Sequence, residues 1–440
     1  MMYLKLSIRN ARRSFTNYLL YVVTMTVLLV IIEISNCISI IGKSAGFQTF
    51  SLPLLITIIQ IILVEFINAF MLKQRSNEFA SYLLLGMGKK KLINLFLFEI
   101  LLIGLFCFIT GTTIGFTLYG FIYFRMALNE VKLYGLLYCK SMLYTLCCFC
   151  IIEIICAFRL KLRLDKLQIR ELMYEKNRNQ GVKNKDNYRK WGFVFISSYG
   201  CLIGFVCGII FLSKDNIIYL IAVVAIPLII SVFGFYKWIL GYLYAHRRMK
   251  SVNIYQKNRL YIMAAITSNF KIDAIMNAVF CLCFLFSASS FLTGALMLQP
   301  EFLLFEKAKQ QWLGTTQISI CIVFAIIYFS ILALQLLIEL RRHSKDNHIL
   351  CCMGKNSKQI ELLLKQQIAV RLTLPMIMAL LIFIFCIPLL NMKMNLILPT
   401  AMQNAFFKFT GEFLLCVLFF YVCYFGMIYT IGKQYIKSSV

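Results

Sequence analysis

Ten stretches of this chain, near residues 18 to 40, 51 to 72, 94 to 120, 134 to 158, 192 to 213, 217 to 241, 276 to 298, 316 to 338, 369 to 390 and 409 to 431, are long and apolar. Each can cross a bilayer, because about 30 Å of hydrocarbon takes roughly 20 helical residues. The fold class that follows is all-α: a polytopic membrane protein of about ten transmembrane helices. Composition agrees, with 61% apolar residues, 14% charged residues and a mean hydropathy of +0.80, which no ordinary soluble domain has.

A net charge of +27 would suit a nucleic-acid binder if it were spread over one surface. Here Lys and Arg sit between the apolar spans, and most of the 45 fall in alternate connections. That is the pattern of membrane topology. Basic residues stay on the cytoplasmic side, so both termini are placed inside, and the reading includes no nucleic-acid partner. The N-terminal Lys5, Arg9, Arg12 and Arg13 and the turn with Lys89, Lys90 and Lys91 point the same way, toward anionic inner-leaflet lipid. The first apolar run lacks a small-residue cleavage site and is read as a permanent span. All 17 cysteines fall in spans or inner segments on this map, so no external disulfide is predicted.

The segment Leu84-Leu85-Gly86-Met87-Gly88-Lys89 returns as Leu350-Cys351-Cys352-Met353-Gly354-Lys355, a spacing of 266 residues (Met353 minus Met87). Arg75 and Arg341 stand at equivalent offsets ahead of the two copies, and an apolar span follows each. Internal repeats half a chain apart are a common plan for membrane transporters. The predicted organisation is four plus two plus four spans: a first half over 1–160, an inner linker over 161–190, a two-helix hairpin over 191–245 and a second half over 246–440. The segments Arg75 to Lys91 and Arg341 to Lys358 alternate charged with apolar residues at helical spacing. Each is therefore predicted to form a short helix on the cytoplasmic surface. Gly86, Gly88 and Gly354 would end those helices, since glycine accepts the left-handed conformation.

With these residues in view, the chain resembles the FtsX-like permease family, the membrane subunits of ABC systems, and within it the ten-span bacitracin-export type. The resemblance rests on Ile8 to Arg13 with Asn17 to Tyr21, on Lys73 to Phe79 with Tyr82 to Lys89 and Glu99, and on Ile262 to Asn277 with Ser268, Lys271 and Asn277. It implies that the two repeated segments dock two copies of a separate cytoplasmic ABC ATPase. On that basis Arg75, Glu78, Tyr82, Gly86, Met87, Gly88, Lys89, Arg341, Met353, Gly354 and Lys355 are the candidate docking residues. The chain departs from the bacitracin type in one respect. Only Gln299 to Thr315 stands where that type carries a bulky external domain, so neither capture of a peptide there nor a sensor-kinase partner follows from the resemblance.

Enzyme motifs fail on context. Gly42-Lys43-Ser44-Ala45-Gly46 reads G-x-S-x-G, but it lies in an outer loop, away from every histidine and without the strand and helix such an elbow needs. It also ends like a phosphate loop, yet Cys37 occupies the position of the first glycine. His343, His348, Cys351 and Cys352 lack the paired spacing of a zinc site. No catalytic residue, metal or cofactor is assigned.

Carboxylates inside spans are costly and demand a partner. Glu33, Glu65, Glu99, Glu153 and Glu412 are the candidates. Glu65 is read as the deepest, sharing an interior face with Asn68 at i+3. Glu99 and Glu153 would be satisfied near the inner ends by water or by Lys91 and Arg159. The functional reading is a permease subunit acting with a separate ATPase on a membrane-active peptide or lipid-linked compound. Its rivals are a non-transporting transducer of an envelope partner and an ion-driven transporter using Glu65. A protease site inserted at the Met87 turn or the Met353 turn should be cut in inside-out vesicles and protected in intact cells. Cleavage from outside would reverse the topology.

Overall fold

The computed structural model describes residues 15–44, 51–125, 131–166, 188–211, 217–248, 258–267, 270–299, 307–397 and 403–439. Among them the secondary structure is entirely helical. In chain order the helices are α1 (Phe15–Ser44), α2 (Ser51–Gln74), α3 (Ser76–Leu84), α4 (Lys89–Arg125), α5 (Val131–Lys166), α6 (Tyr188–Phe211), α7 (Ile217–Arg248), α8 (Arg259–Thr267), α9 (Phe270–Met297), α10 (Lys307–Cys352), α11 (Ser357–Ile397) and α12 (Ala405–Ser439). Helix is forced wherever the chain meets hydrocarbon, because each N–H and C=O must there find its partner within the same segment. Eight helices are long and apolar enough to cross a membrane, and α1 and α2 carry the shorter apolar runs Met25–Cys37 and Ile56–Ala69. Over the described residues, every apolar stretch picked out from the sequence falls on one of these ten helices. The protein is a multi-pass, all-α membrane protein.

The chain divides into two compact units, Met1–Arg178 and Asn179–Val440. In the first, α1 packs along α4 and α5, α2 closes against α5 and α1, and α3 leans on α4. Small residues let α1 and α4 approach closely. A Cβ at Gly111 would lie 2.9 Å from the Leu29 side chain, and one at Gly115 would lie 2.7 Å from that of Glu33. Interfaces between membrane helices depend on such small residues, since lipid offers no hydrophobic drive for association.

In the second unit α9 is the central helix, two thirds buried over its apolar window, with α10 along one side and α7 along another. The α6–α7 hairpin belongs to this unit. The Tyr236 hydroxyl of α7 donates to the Pro375 carbonyl at 2.7 Å, and that of Tyr199 in α6 donates to the Leu381 carbonyl at 3.1 Å, tying both hairpin helices to α11. By contrast, only 6% of the apolar window of α12 is buried. Its exposed Leu415, Leu418, Phe419 and Val422 form a face suited to lipid. A buried Arg371 on α11 donates to the Ala265 carbonyl at 2.9 Å and pairs with Asp273 at 3.4 Å. It thereby clamps the end of α8 to the first turn of α9.

The two repeated segments differ in a way the sequence did not suggest. The first does form a short helix, α3, set off from α2 by Arg75 alone (φ −100, ψ 9). The second forms no separate helix, since α10 runs unbroken through Arg341 to Cys352. No glycine or proline lies between Gly314 and Gly354 to interrupt it.

Both segments end in the same motif. Met87 N–H donates to the Tyr82 carbonyl at 3.0 Å and Gly86 N–H to that of Leu83 at 3.1 Å. Likewise Lys355 N–H donates to Leu350 at 3.1 Å and Gly354 N–H to Cys351 at 3.0 Å. This is the paired Schellman pattern, which needs a left-handed residue just past the helix. Gly86 (φ 91) and Gly354 (φ 89) supply it.

Gly86, not Gly88, is therefore the partner of Gly354. The true repeat spacing is 268 residues (Gly354 minus Gly86), two more than the matching letters indicate. Leu92 N–H to the Gly88 carbonyl and Ile360 N–H to the Asn356 carbonyl, both at 3.2 Å, repeat at the same spacing. So do the starts of α4 and α11 at Lys89 and Ser357. On this register position 343, a histidine, corresponds to Arg75, and Arg341 does not. Gly88 has no positive φ and no atom within 4 Å of an added Cβ.

Several sequence expectations fall outside the described residues: the elbow Ile8 to Arg13, Ser268, the greater part of the linker over 161–190, and the turn Ser213 to Asn216. Placing a Cβ in the left-handed region costs about 1–2 kcal/mol. Gly86→Ala and Gly354→Ala should therefore each lower thermal stability in detergent by a few degrees, and Gly88→Ala should leave it unchanged. Equal effects at Gly86 and Gly88 would refute the 268-residue register.

Candidate coupling site

Arg75 is the anchor of the first repeated segment. Its side chain is 1% exposed, with Nη1 2.6 Å from Glu99 Oε2 on α4 and Nε 2.8 Å from Glu78 Oε2 one turn along α3. The guanidinium also lies over the Phe79 ring at 5.1 Å, and Phe79 meets Phe96 of α4 edge to face at 5.0 Å. Arginine suits this place because its planar fork serves two carboxylates while its face stacks on an aromatic ring. Glu99 is buried with it, whereas Glu78 is half in solvent, at 48% exposure. The carboxylate of Glu78 also sits in the first turn of α3, where the helix dipole favours it.

From this buried root α3 rises to an exposed apolar tip. Leu84 and Leu85 are 66% and 84% exposed, Tyr82 and Met87 are half-buried, and Gly86 and Gly88 are open to solvent. Lys89 begins α4 and donates from Nζ to the Asp165 carbonyl at 2.7 Å. That bond satisfies a carbonyl of the last turn of α5 with a cation, as helix C-termini favour. Lys89 thus braces the turn from within the chain.

The tip of the second segment has the same chemistry, with Ile349 at 57% and Met353 at 76% exposure. Gly354 is exposed and Lys355 half-buried. Lys355 borders a cavity of about 610 Å³ together with Asn258, Arg259, Gln359 and Gln366. Nearby, Lys433 of α12 pairs with Glu361 of α11 at 3.1 Å, fastening the base of this segment. Arg341 lies along α10, and its side chain is outside what the structure describes.

Both charge pairings expected from the sequence, Glu99 with Lys91 and Glu153 with Arg159, are replaced. Glu99 takes Arg75 rather than Lys91. Arg159 takes Glu65, and both side chains are about half exposed. Glu153 receives neither. Glu65 and Asn68 also part company. Asn68 is 3% exposed, while Glu65 turns outward to its arginine. Sequence spacing finds partners on the same helix, and these partners come from other helices. Glu33 does sit in a polar cluster, accepting from the Ser141 hydroxyl at 2.9 Å, with Asn36 donating to Thr145 at 3.0 Å. The Arg371–Asp273 clamp was missed altogether. Its one sequence signal was an arginine inside an apolar run, which requires an acidic partner.

Among the described residues no three His, Cys, Asp or Glu side chains converge on a metal-binding geometry. The first turn is an exposed apolar tip on a short helix whose root is paired to the next long helix.

Residues 50–161 match the model of a family described as FtsX-like permease C-terminal. This stretch spans α2 to α5 and includes the whole first segment from Arg75 to Lys89. It covers about a quarter of the chain. None of the curated proteins matches the chain.

Removing one member of a buried ion pair strands the other and costs about 3–5 kcal/mol. Arg75→Met or Glu99→Leu alone should therefore sharply reduce the thermal stability and yield of the detergent-solubilised protein. The double variant should recover most of the loss, because no lone charge remains buried. A double variant as damaged as the sum of the singles would show that the pair does not act as a unit.

Proposed function

We propose that this chain is the membrane subunit of an ABC-type complex, with its two glycine-ended turns held by two copies of a separate cytoplasmic ATP-binding subunit. The reading is carried by one observation: two turns 268 residues apart share the same backbone hydrogen bonds, and each presents an exposed apolar tip beside a lysine. The family match over 50–161 supports it, because the first turn lies inside the matched stretch.

Each tip suits a groove on a soluble partner. Leu84, Leu85 and Met353 supply apolar contact, and the closed Schellman backbone keeps the loop from yielding when it is pulled. Nucleotide-driven motion of the ATPase copies would then act on α4 through the Arg75–Glu99 pair, and on α10 and α11 directly. The complex would export, remove or confer immunity against a membrane-active peptide or lipid-linked compound. Lys89 and Lys355 add positive charge beside the tips, but Lys89 is already bonded to α5, so the apolar residues are the stronger handles.

Purification of the tagged chain from its own membranes should bring down an ATP-binding subunit with ATPase activity. The double variant Leu85→Asp, Met353→Asp should insert normally and lose that activity at least tenfold. Leu418→Ser, on the lipid-facing side of α12, should retain it. If the double variant keeps its ATPase, the turns are not the docking handles.

A further inference from the structure

Beside the Gly354 turn, the start of α8 and the first turns of α11 border a cavity of about 610 Å³. Two cations line it, Arg259 at the head of α8 and Lys355 just past the turn, and no carboxylate does. Neither cationic side chain has a partner among the described residues. The acid nearest to Lys355 in sequence, Glu361, is taken by Lys433. The rest of the polar lining is amide. Gln366 Oε1 accepts from Asn258 Nδ2 and Gln359 Oε1 from the Asn356 N–H, each at 3.4 Å. With those oxygens engaged, two cations and two amide NH2 groups are left to donate. Gln359, Leu362 and Gln366 already belong to the stretch Lys358–Lys393, which is long and apolar enough to cross a membrane. The cavity therefore stands at the level where α11 enters the bilayer. Its apolar lining is Ile262 and Leu362, and Leu362 is 51% exposed.

We propose that this cavity seats the phosphate of an anionic glycerophospholipid, held by Arg259 and Lys355, with the acyl chains passing into the bilayer alongside Leu362. Basic pockets at the ends of membrane helices take anionic headgroups in this way. A guanidinium can meet a phosphate with two parallel hydrogen bonds, and an ammonium meets it as a point charge. A zwitterionic headgroup fits less well, since its own ammonium would face two cations and no carboxylate. A soluble phosphate would make no use of the apolar side. The far end of α8 is already fixed to α11 by Arg371 at the Ala265 carbonyl. A seated phosphate would fix the near end as well, beside the turn. This seat needs no ATPase and goes beyond the docking proposal.

The test is native mass spectrometry of the full detergent-solubilised chain, without any ATPase, offered phosphatidylglycerol and phosphatidylcholine in equal amounts. One phosphatidylglycerol should be retained in preference. The double variant Arg259→Gln, Lys355→Gln should weaken that retention at least about tenfold, the factor that one charge-assisted hydrogen bond carries. Arg259→Lys with Lys355→Arg should keep most of it. So should Lys393→Gln with Lys408→Gln, which removes the same charge at the opposite ends of α11 and α12. Phosphatidylglycerol should also raise the unfolding temperature of the parent chain and not that of the Arg259→Gln, Lys355→Gln variant. Equal retention of the two lipids, or unchanged retention in that variant, would overturn the seat. Displacement of the lipid by inorganic phosphate would give the cavity to a soluble anion and overturn the lipid assignment. A variant that keeps its lipid but no longer recruits an ATPase would give the cavity to an acidic segment of the partner. Because the lipid is measured without any ATPase, its failure leaves docking at Leu85 and Met353 untouched, and the two readings fail separately.

Discussion

The ion pair between Arg75 and Glu99 is the contact on which the first repeated segment depends. An isolated helix of nine residues is too short to hold its shape in water, so α3 needs an outside anchor. The pair provides one at its root, fully enclosed, with Phe79 and Phe96 packed around the guanidinium. Two enclosed charges give little net stabilisation beyond what well-packed apolar groups would, but they fix geometry. Arg75 reaches Glu99 only when α3 leaves α2 in one direction. The exposed leucines at the far end are therefore presented in a fixed position relative to α4, and a load applied to the tip passes into a membrane helix instead of being lost in a flexible loop.

The second segment reaches the same backbone end by other means. α10 continues without interruption into the turn, so its stem needs no separate root. What is clamped there is the neighbouring element. Arg371 holds the end of α8 against the first turn of α9, and Lys433 fastens α12 to α11 at Glu361. The two halves thus share the Schellman turn and little of the side-chain machinery beneath it. The shared turn is a backbone requirement met by glycine in both halves, and the side chains beneath it differ.

How much of this could be read beforehand follows from the physics of each feature. The spans were legible because burial in lipid is written into composition, and every stretch from 18–40 to 409–431 fell on a helix. The glycine ends of Gly86 and Gly354 were legible because few other residues accept a positive φ. Their register was not. Letters alone align Met87 with Met353, whereas hydrogen bonding aligns Gly86 with Gly354, since the turn depends on a left-handed glycine and not on the side chains around it. The ion pairs were misassigned for a related reason. Lys91 stands close to Glu99, and Arg159 close to Glu153, along one helix, but Arg75 and Glu65 come from elsewhere, and tertiary distance is not encoded in sequence offset.

Two buried carboxylates in the first unit show what close helix packing demands of polar groups. Glu33 is fully enclosed, with Ser141 donating to it and Gly115 drawn in so tightly that a Cβ there would lie 2.7 Å from its side chain. Its Oε2 lacks a partner. Glu153 packs in the same way, since a Cβ at Gly104 would lie 2.8 Å from its Oε1, and that oxygen lacks a partner as well. An unsatisfied atom in a closed core is a cost the fold carries. The unpaired oxygens of Glu33 and Glu153 are what it costs to bring α1 and α5 in close against the glycines of α4, where small residues allow membrane helices to approach.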